Sequence, residues 1–280
     1  MHVNRQADQW AEVDGHRIRY WKKGNASSTI LLIHGMGCSC LEWSENIDSL
    51  TDHATVIAVD MLGFGKSDKP DRYNYSPENQ ALTLIKLLKH LHVTAVHLVG
   101  NSLGGRVAIE MASLLEDKAK SLTLVASAGG AADAPLAMRL QTLPFIGKML
   151  TKPDSVKHQM GWSSVFVDKS RLSQERIDEK FQDSLLPGAQ ASALATIRSM
   201  IDLRGFKRRD IEQLHQKIKA LDTRVMIIWG DSDPLLPVHH AETFQGLLKK
   251  SIVHIFEQCG HAPQIEQSDK FNQLLIRFIS

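Results

Sequence analysis

The chain has 280 residues, of which 43% are hydrophobic, and its formal net charge is +2. This length and composition suffice for one large domain with a sizeable core, or for one domain with an insertion. A pI of about 8.4, with Lys and Arg scattered along the chain, does not indicate a nucleic acid or an anionic membrane as a partner.

Cysteine usage and the N-terminus indicate the compartment. Cys38, Cys40 and Cys259 show no C-x-x-C spacing, and an odd, low count argues against a disulfide framework and against a zinc site. The first residues lack the apolar segment of a signal peptide. No run reaches the ~18 apolar residues that a membrane span needs. We therefore expect a soluble, reduced, cytoplasmic protein.

Eight strands are predicted along the chain, and the first two form a hairpin. Asp14-Gly15 is a two-residue turn signal between alternating segments at residues 10–13 and 16–21. Apolar runs rich in β-branched residues follow at residues 29–33, 55–59, 95–99, 122–126, 224–229 and 252–256. Continuous apolar runs are typical of strands buried on both faces of a parallel sheet.

Helical patterns alternate with these strands. Ser76 is a suitable N-cap and Pro77 a suitable first residue for a helix over residues 77–91. Shorter helical patterns cover residues 43–50 and 238–248, the segment after Ser102 and the C-terminal segment. The alternation predicts an α/β fold: a mostly parallel eight-stranded sheet with helices on both faces.

The alternation stops between the fourth and fifth parallel strands. From Gly129 to Leu214 the sequence is helical and irregular, with no predicted strand. We interpret residues 129–214 as an inserted helical cap, and residues 1–128 and 215–280 as the core. Some of the cap's apolar residues are expected to line an apolar pocket. Arg198 and Arg204, near its end, are candidates for binding a substrate carboxylate.

Ser102 lies in the pentapeptide Gly100-Asn101-Ser102-Leu103-Gly104, between a predicted strand and a predicted helix. The pattern G-x-S-x-G at such a turn is the nucleophile elbow. A side chain at either glycine would clash in so tight a turn, and the following helix directs its N–H groups at developing negative charge. An ordinary serine in a glycine-rich turn would match the same pattern, so the rest of the chain must decide.

Nucleophilic serine chemistry needs a histidine and a carboxylate beside the serine. Asp231 and Asp233 follow one predicted strand, and His261 follows the next. Because the carboxyl ends of parallel strands meet at one edge of a sheet, we expect these side chains to lie near Ser102.

Several motifs outside the cap accompany this constellation. They are His34-Gly35, the D-x-x-G-x-G-x-S run at 60–67, G-N-S-L-G at 100–104, W-G-x-x-D at 229–233 and Gly260-His261. Together they resemble the capped α/β-hydrolase superfamily, in its serine esterase/lipase-like or C–C hydrolase-like branch. The resemblance implies Ser102 as the nucleophile, Asp233 as the triad acid and His261 as the general base, with Asp231 as a competitor expected to cap its loop. It also implies an oxyanion hole made by the backbone N–H groups of Met36 and Leu103.

The resemblance implies acyl transfer through an acyl-enzyme on Ser102, with no metal and no organic cofactor. Our first hypothesis is a serine carboxylesterase that cleaves small to medium acyl esters, with a small apolar ester as its partner. The alternative is a C–C bond hydrolase of aromatic meta-cleavage products, which Asn101 favours. Met36-Gly37-Cys38 and Ala262 depart from that branch, which usually carries Gly-Pro-Gly and Trp at these places. A third alternative is a non-catalytic binding protein, against which the intact triad argues.

Three other features carry weaker interpretations. His239, His240 and Glu242 suggest metal ligands, but adjacent histidines on a helix point in different directions, so a solvated helix start is preferred. His34 is expected to be a structural hydrogen-bonding residue beside the oxyanion loop. The sequence predicts no nucleic-acid partner and no transmembrane segment, and it leaves the oligomeric state open, with a homodimer among the alternatives.

Overall fold

The computed structural model describes residues 3–248 and 250–280. It contains ten strands: β1 Gln9–Val13, β2 His16–Lys23, β3 Thr29–Ile33, β4 Thr55–Val59, β5 Val96–Asn101, β6 Ala119–Val125, β7 Ile201–Asp202, β8 Gly205–Phe206, β9 Val225–Gly230 and β10 Ser251–Phe256. Eight of them form one sheet in the order β1-β2-β4-β3-β5-β6-β9-β10. Only β1–β2 and β2–β4 pair antiparallel in this sheet, so the predicted mostly parallel eight-stranded architecture is confirmed.

Twelve helices are described in these residues. They are α1 Ile47–Leu50, α2 Pro77–His90, α3 Leu103–Leu115, α4 Leu136–Gln141, α5 Pro144–Leu150, α6 Ser155–Ser164, α7 Gln174–Leu185, α8 Ala189–Met200, α9 Arg208–Ala220, α10 His239–Leu247, α11 Pro263–Glu266 and α12 Ser268–Ile279. The helix predicted over 77–91 is present, and the Ser76 hydroxyl accepts a hydrogen bond from the Asn79 N–H at 3.3 Å.

The core has two apolar layers because strand side chains alternate between the faces of the sheet. In β3, Leu31 and Ile33 join a large cluster with α2, α3, α9 and α10. Ile30 and Leu32 join the opposite cluster, with α1 and α12. The residues of both clusters are buried, and their close packing makes the sheet a rigid support for the loops that follow the carboxyl ends of its strands.

The segment between β6 and β9 holds α4 to α9 and a small hairpin. The sequence predicts no strand here, whereas β7 and β8 pair antiparallel around a tight turn at residues 203–204, and Gly205, the first residue of β8, has φ of 119°. Two-residue strands are too short to carry a periodic pattern, so the sequence did not reveal them. The proposed cap boundary at Leu214 falls inside α9, and Leu214 itself is buried in the large core cluster; the division at 129–214 stays a prediction.

Within residues 3–248 and 250–280, no helix is both long enough and apolar enough to cross a bilayer.

Candidate active site

The predicted strand–turn–helix around Ser102 is present between β5 and α3. Ser102 has φ of 54° and ψ of −115°, a region that residues other than glycine rarely adopt. A Cβ at Gly100 would overlap the backbone of Gly104, and a Cβ at Gly104 would overlap the backbone of Ile33. The turn therefore needs both glycines, and it leaves the Ser102 side chain half-buried at a cavity wall.

His261 and Asp233 form a buried pair beside this turn. The Nδ1–H of His261 donates to Asp233 Oδ2 at 2.7 Å, while Asp233 Oδ1 accepts the N–H groups of Leu235 at 2.8 Å and Leu236 at 3.0 Å. The tautomer that this pairing selects leaves Nε2 with its lone pair. Ser102 and His261 line the same cavity, and the Ser102 hydroxyl forms no hydrogen bond with any described residue.

Charge and burial act in opposite directions on His261. Burial alone would lower the pKa of the imidazole, but the charge of Asp233 and its hydrogen bond more than offset this, so the pKa lies above its ordinary value. The pair is thus arranged to stabilise an imidazolium, as a general base requires once it has taken a proton.

Asp231 lies outside this pair. Its exposed carboxylate accepts the Ser232 hydroxyl at 2.8 Å and the Gln258 N–H at 3.1 Å. These contacts tie the loop after β9 to the loop after β10. Asp231 therefore has the loop-capping geometry expected of the competitor carboxylate.

The loop that carries His261 is held from three directions. Asn101 Nδ2 donates to the His261 carbonyl at 3.1 Å, and the His261 N–H donates to the carbonyl of Val165 at 2.9 Å. Glu266 Oε1 accepts the Gly260 N–H at 2.9 Å. Because Val165 lies between β6 and β9, that inserted segment takes part in positioning the histidine.

The loop after β3 passes directly beside the elbow. A Cβ at Gly35 would lie 2.9 Å from Asn101 Oδ1 and 3.4 Å from Ser102 Cβ. The Met36 and Leu103 N–H groups have no acceptor among the described residues, and both residues line the cavity with Ser102. Two free N–H donors beside a serine hydroxyl have the arrangement that an oxyanion hole requires.

Buried side chains fix this loop. His34 donates from Nδ1 to the Gly35 carbonyl at 2.6 Å and accepts the Met61 N–H at Nε2 at 3.1 Å, so the structural role predicted for His34 is confirmed. Glu42, which the sequence did not single out, accepts the Gly35 N–H at 2.8 Å and Gln264 Nε2 at 3.0 Å. Its carboxylate holds the turn in which the Met36 N–H stays free.

The cavity has a volume of about 440 Å³ and mostly apolar walls. Both the core and the inserted segment contribute to it. Its apolar lining includes Met138, Trp162, Val165, Met200, Phe206 and Leu235.

A buried lysine lies behind one wall. Lys180, only 2% exposed, places Nζ 3.0 Å from Cys38 Sγ and 2.9 Å from the centre of the Trp162 ring. It forms no ion pair with any carboxylate in the described part of the chain. Burial raises the pKa of the Cys38 thiol to about 12, although Lys180 opposes this, so the thiol is neutral at pH 7.

Sequence reasoning missed Lys180. The available signal was a lysine three residues after Ile177 on the buried side of α7, where helical spacing calls for an apolar residue. The two arginines predicted to bind a substrate carboxylate lie elsewhere. Arg198 donates to the carbonyl of Thr142 at 3.0 Å, and Arg204 is exposed. Neither lines the cavity, and Lys180 itself lines a smaller neighbouring pocket of about 120 Å³ instead.

The two adjacent histidines gather with Asp133 rather than with Glu242. Both Nε2 atoms lie near Asp133 Oδ1, at 3.2 Å for His239 and 3.3 Å for His240. These three side chains offer possible ligand atoms within 4.8 Å of one another. However, His240 Nδ1 accepts the Ala131 N–H at 3.1 Å, so its proton is on Nε2 and that atom has no lone pair for a metal.

The chain belongs to the alpha/beta hydrolase fold family, whose model matches residues 28–268. 2-Hydroxymuconate semialdehyde hydrolase of Pseudomonas putida is 28% identical over 276 residues, which cover 95% of this chain and 92% of that protein. The dihydrolipoyllysine-residue acetyltransferase component of the acetoin cleaving system of Cupriavidus necator is 30% identical over 269 residues, which cover 96% of this chain and 68% of that protein. The structure of a meta-cleavage product hydrolase from Pseudomonas fluorescens IP01 has a TM-score of 0.82 at 27% identity and covers 96% of each chain. The protein is therefore an α/β-hydrolase.

Proposed function

We propose that the protein is a serine hydrolase that attacks a carbonyl carbon with Ser102. The observation that carries this proposal is the buried His261–Asp233 pair, which shares a cavity with a serine in a strained elbow. In this mechanism His261 Nε2 takes the Ser102 proton, Asp233 stabilises the imidazolium, and the Met36 and Leu103 N–H groups bind the oxyanion.

We further propose that the bond cleaved is a carbon–carbon bond next to a ketone, in a substrate that also carries a carboxylate. Two observations favour this alternative over the first hypothesis of a neutral apolar ester. Lys157 lines the Ser102 cavity without an ion-pair partner among the described residues, and Lys180 lies behind the wall formed by Cys38 and Trp162, so a substrate carboxylate would meet positive charge there. Relatives that match nearly the whole chain are named as hydrolases of 2-hydroxymuconate semialdehyde and of meta-cleavage products.

The proposed reaction forms an ester between Ser102 and the acyl part of the ketone. The electron pair of the broken carbon–carbon bond passes to the leaving carbon, which conjugation with the rest of the substrate stabilises. His261 protonates that carbon. A water molecule, deprotonated by His261, then releases the acyl group as a carboxylic acid and restores the Ser102 hydroxyl.

Ester hydrolysis is the second candidate. The mostly apolar cavity of about 440 Å³ favours it, since such a wall suits an acyl chain. The same serine, base and oxyanion donors serve both reactions. The two candidates differ in whether the substrate brings a carboxylate to the wall that Lys157 lines and Lys180 lies behind.

Replacing Lys180 with methionine separates the candidates. We expect Lys180→Met to raise KM for a carboxylate-bearing ring-fission diketone by about fivefold, because the charge behind the cavity wall attracts the carboxylate through space, and to leave kcat/KM for p-nitrophenyl butyrate unchanged. The measurement is steady-state kinetics on both substrates, with Lys148→Met, which replaces an exposed lysine, as the matched control. Rapid ester turnover by wild type with no diketone cleavage would overturn the carbon–carbon proposal and leave the ester candidate.

A further inference from the structure

The outer side of the inserted segment is unusually apolar. The consecutive helices α4, α5 and α6 bury only one of their residues, Gly147, whereas a helix in a globular protein ordinarily turns an apolar stripe to a core. We call the outward side of residues 136–160 the cap face. Its large exposed apolar side chains are Leu136, Phe145, Ile146, Met149, Leu150, Val156 and Met160, with Phe145 89% exposed.

The cap face covers the cavity that Ser102 lines. Met138 and Gln141 of α4 and His158 and Trp162 of α6 contribute to the cavity wall. The same two helices therefore present one side to the cavity and the other to the surroundings. Whatever binds the outer side of α4 and α6 is therefore separated from the cavity by these two helices.

The cap face is also basic. Residues 136–160 contain Arg139, Lys148, Lys152 and Lys157 against the single carboxylate of Asp154, a net charge of +3, whereas the whole chain carries only +2. The three lysines are exposed and form no ion pair with any described residue, although Lys157 also lines the cavity. A partner that covers this face must be apolar and anionic, and a second copy of the chain would oppose like charges.

We propose that the cap face binds the surface of a bilayer that contains acidic phospholipids. Phe145 and Met149 are spaced four residues apart on α5, so they share one side of the helix and can enter the headgroup region together. The flanking lysines lie where they meet lipid phosphates. This function is additional to the hydrolysis proposed above, and it brings the cavity to a lipid surface.

Vesicle co-sedimentation tests the proposal. We expect the wild-type protein to bind phosphatidylcholine vesicles in which roughly one-third of the lipid is phosphatidylglycerol, and to bind much less at high salt. Lys148→Glu/Lys152→Glu is expected to weaken binding by more than tenfold, at about fivefold for each lysine lost. Phe145→Ser is expected to weaken it about tenfold through lost apolar burial.

Two control variants lie away from the cap face, near the amino end of β6. Leu114→Ser, near the end of α3, and Lys118→Glu, before β6, make the same chemical changes at exposed positions and should leave vesicle binding unchanged. All four variants should keep wild-type hydrolysis of a dissolved substrate, so loss of vesicle binding is distinguishable from failure of the proposed function.

Four results would overturn the proposal. They are no binding of wild type to the anionic vesicles, equal binding to phosphatidylcholine alone, equal losses in the control variants, and a dimer in sedimentation velocity that Phe145→Ser dissociates. The last result would assign the cap face to a second copy of the chain.

Discussion

At the scale of single residues, the conformation of Ser102 is possible because its neighbours Gly100 and Gly104 have no side chain. Its φ of 54° is sterically costly for a residue with a Cβ. The conformation is held because Gly100 and Gly104 let three backbone segments approach within contact. The strain orients the side chain toward the cavity shared with His261.

The Asp233 carboxylate sets both the tautomer and the pKa of His261. We expect Asp233→Asn to lower kcat by up to ~10⁴-fold, because an amide that donates to Nδ1 selects the wrong tautomer. The acid limb of the pH profile of kcat/KM, which reports loss of the neutral base, should move to lower pH because Asp233 raises the pKa of His261. Initial rates across a pH series measure both effects.

Asp231→Asn is the matched control, since this carboxylate accepts hydrogen bonds only from the loops after β9 and β10. We expect it to leave kcat within a few-fold of wild type and the acid limb in place. The reverse pattern, with the large loss at Asp231, would assign the triad acid to that residue.

The same pair links stability to pH. A histidine whose folded pKa is raised contributes stability that is fully present below its unfolded pKa of 6.5 and is lost as pH rises through the folded value. We therefore expect the stability difference between wild type and Asp233→Asn to be larger at pH 5.5 than at pH 9. Urea unfolding at the two pH values measures it.

At the scale of elements, strands were more predictable than the inserted segment. Strands at 29–33 and 55–59 lie at the predicted residues because a continuous apolar run is buried on both faces. The predicted Asp14-Gly15 turn has both residues at positive φ. The two-residue strands β7 and β8 escaped prediction because their pairing depends on tertiary packing rather than on a local pattern.

The elbow glycines give a prediction about stability. Gly104→Ala places a Cβ against the backbone of Ile33, which cannot move without displacing β3, so we expect a loss of ~3 kcal/mol or more. Gly246→Ala in α10 meets nothing within 4 Å and should gain up to ~1 kcal/mol from helix propensity. Chemical denaturation of both variants checks this, and equal effects at the two positions would contradict the packing argument.

At the scale of the whole molecule, Glu266 joins the loop that carries His261 to the segment between β6 and β9. Its buried carboxylate accepts N–H groups from Gly260 at 2.9 Å, Val167 at 2.8 Å and Asp168 at 3.1 Å. The His261 N–H donates to the carbonyl of the neighbouring Val165. The segment that lines the cavity therefore also holds the histidine.

Removing the Glu266 carboxylate should destabilise both the loop that carries His261 and the segment at residues 165–168. Glu266→Ala leaves three N–H groups without an acceptor, at ~1–3 kcal/mol for each that stays buried, so we expect a lower Tm and a kcat/KM reduced about tenfold or more. Hydrogen exchange at 165–168 should quicken. Glu257→Ala, an exposed change nearby, is the control, and matching behaviour of the two variants would contradict this account.

Chain order explains which site residues sequence reasoning finds. Ser102, Asp233 and His261 each follow a strand, and parallel topology brings such positions to one edge. Lys180 reaches Cys38 across 142 residues, and no periodic pattern specifies how α7 lies over the loop after β3. Contacts between the inserted segment and the core therefore required the structure.

The most direct test of the central claim is the site at which a fluorophosphonate probe reacts. Mass spectrometry of the labelled protein is expected to find the probe on Ser102, and Ser102→Ala, with an unchanged circular dichroism spectrum, should take up none. A label on another residue, or no labelling of an active wild-type protein, would contradict the assignment of Ser102 as the nucleophile.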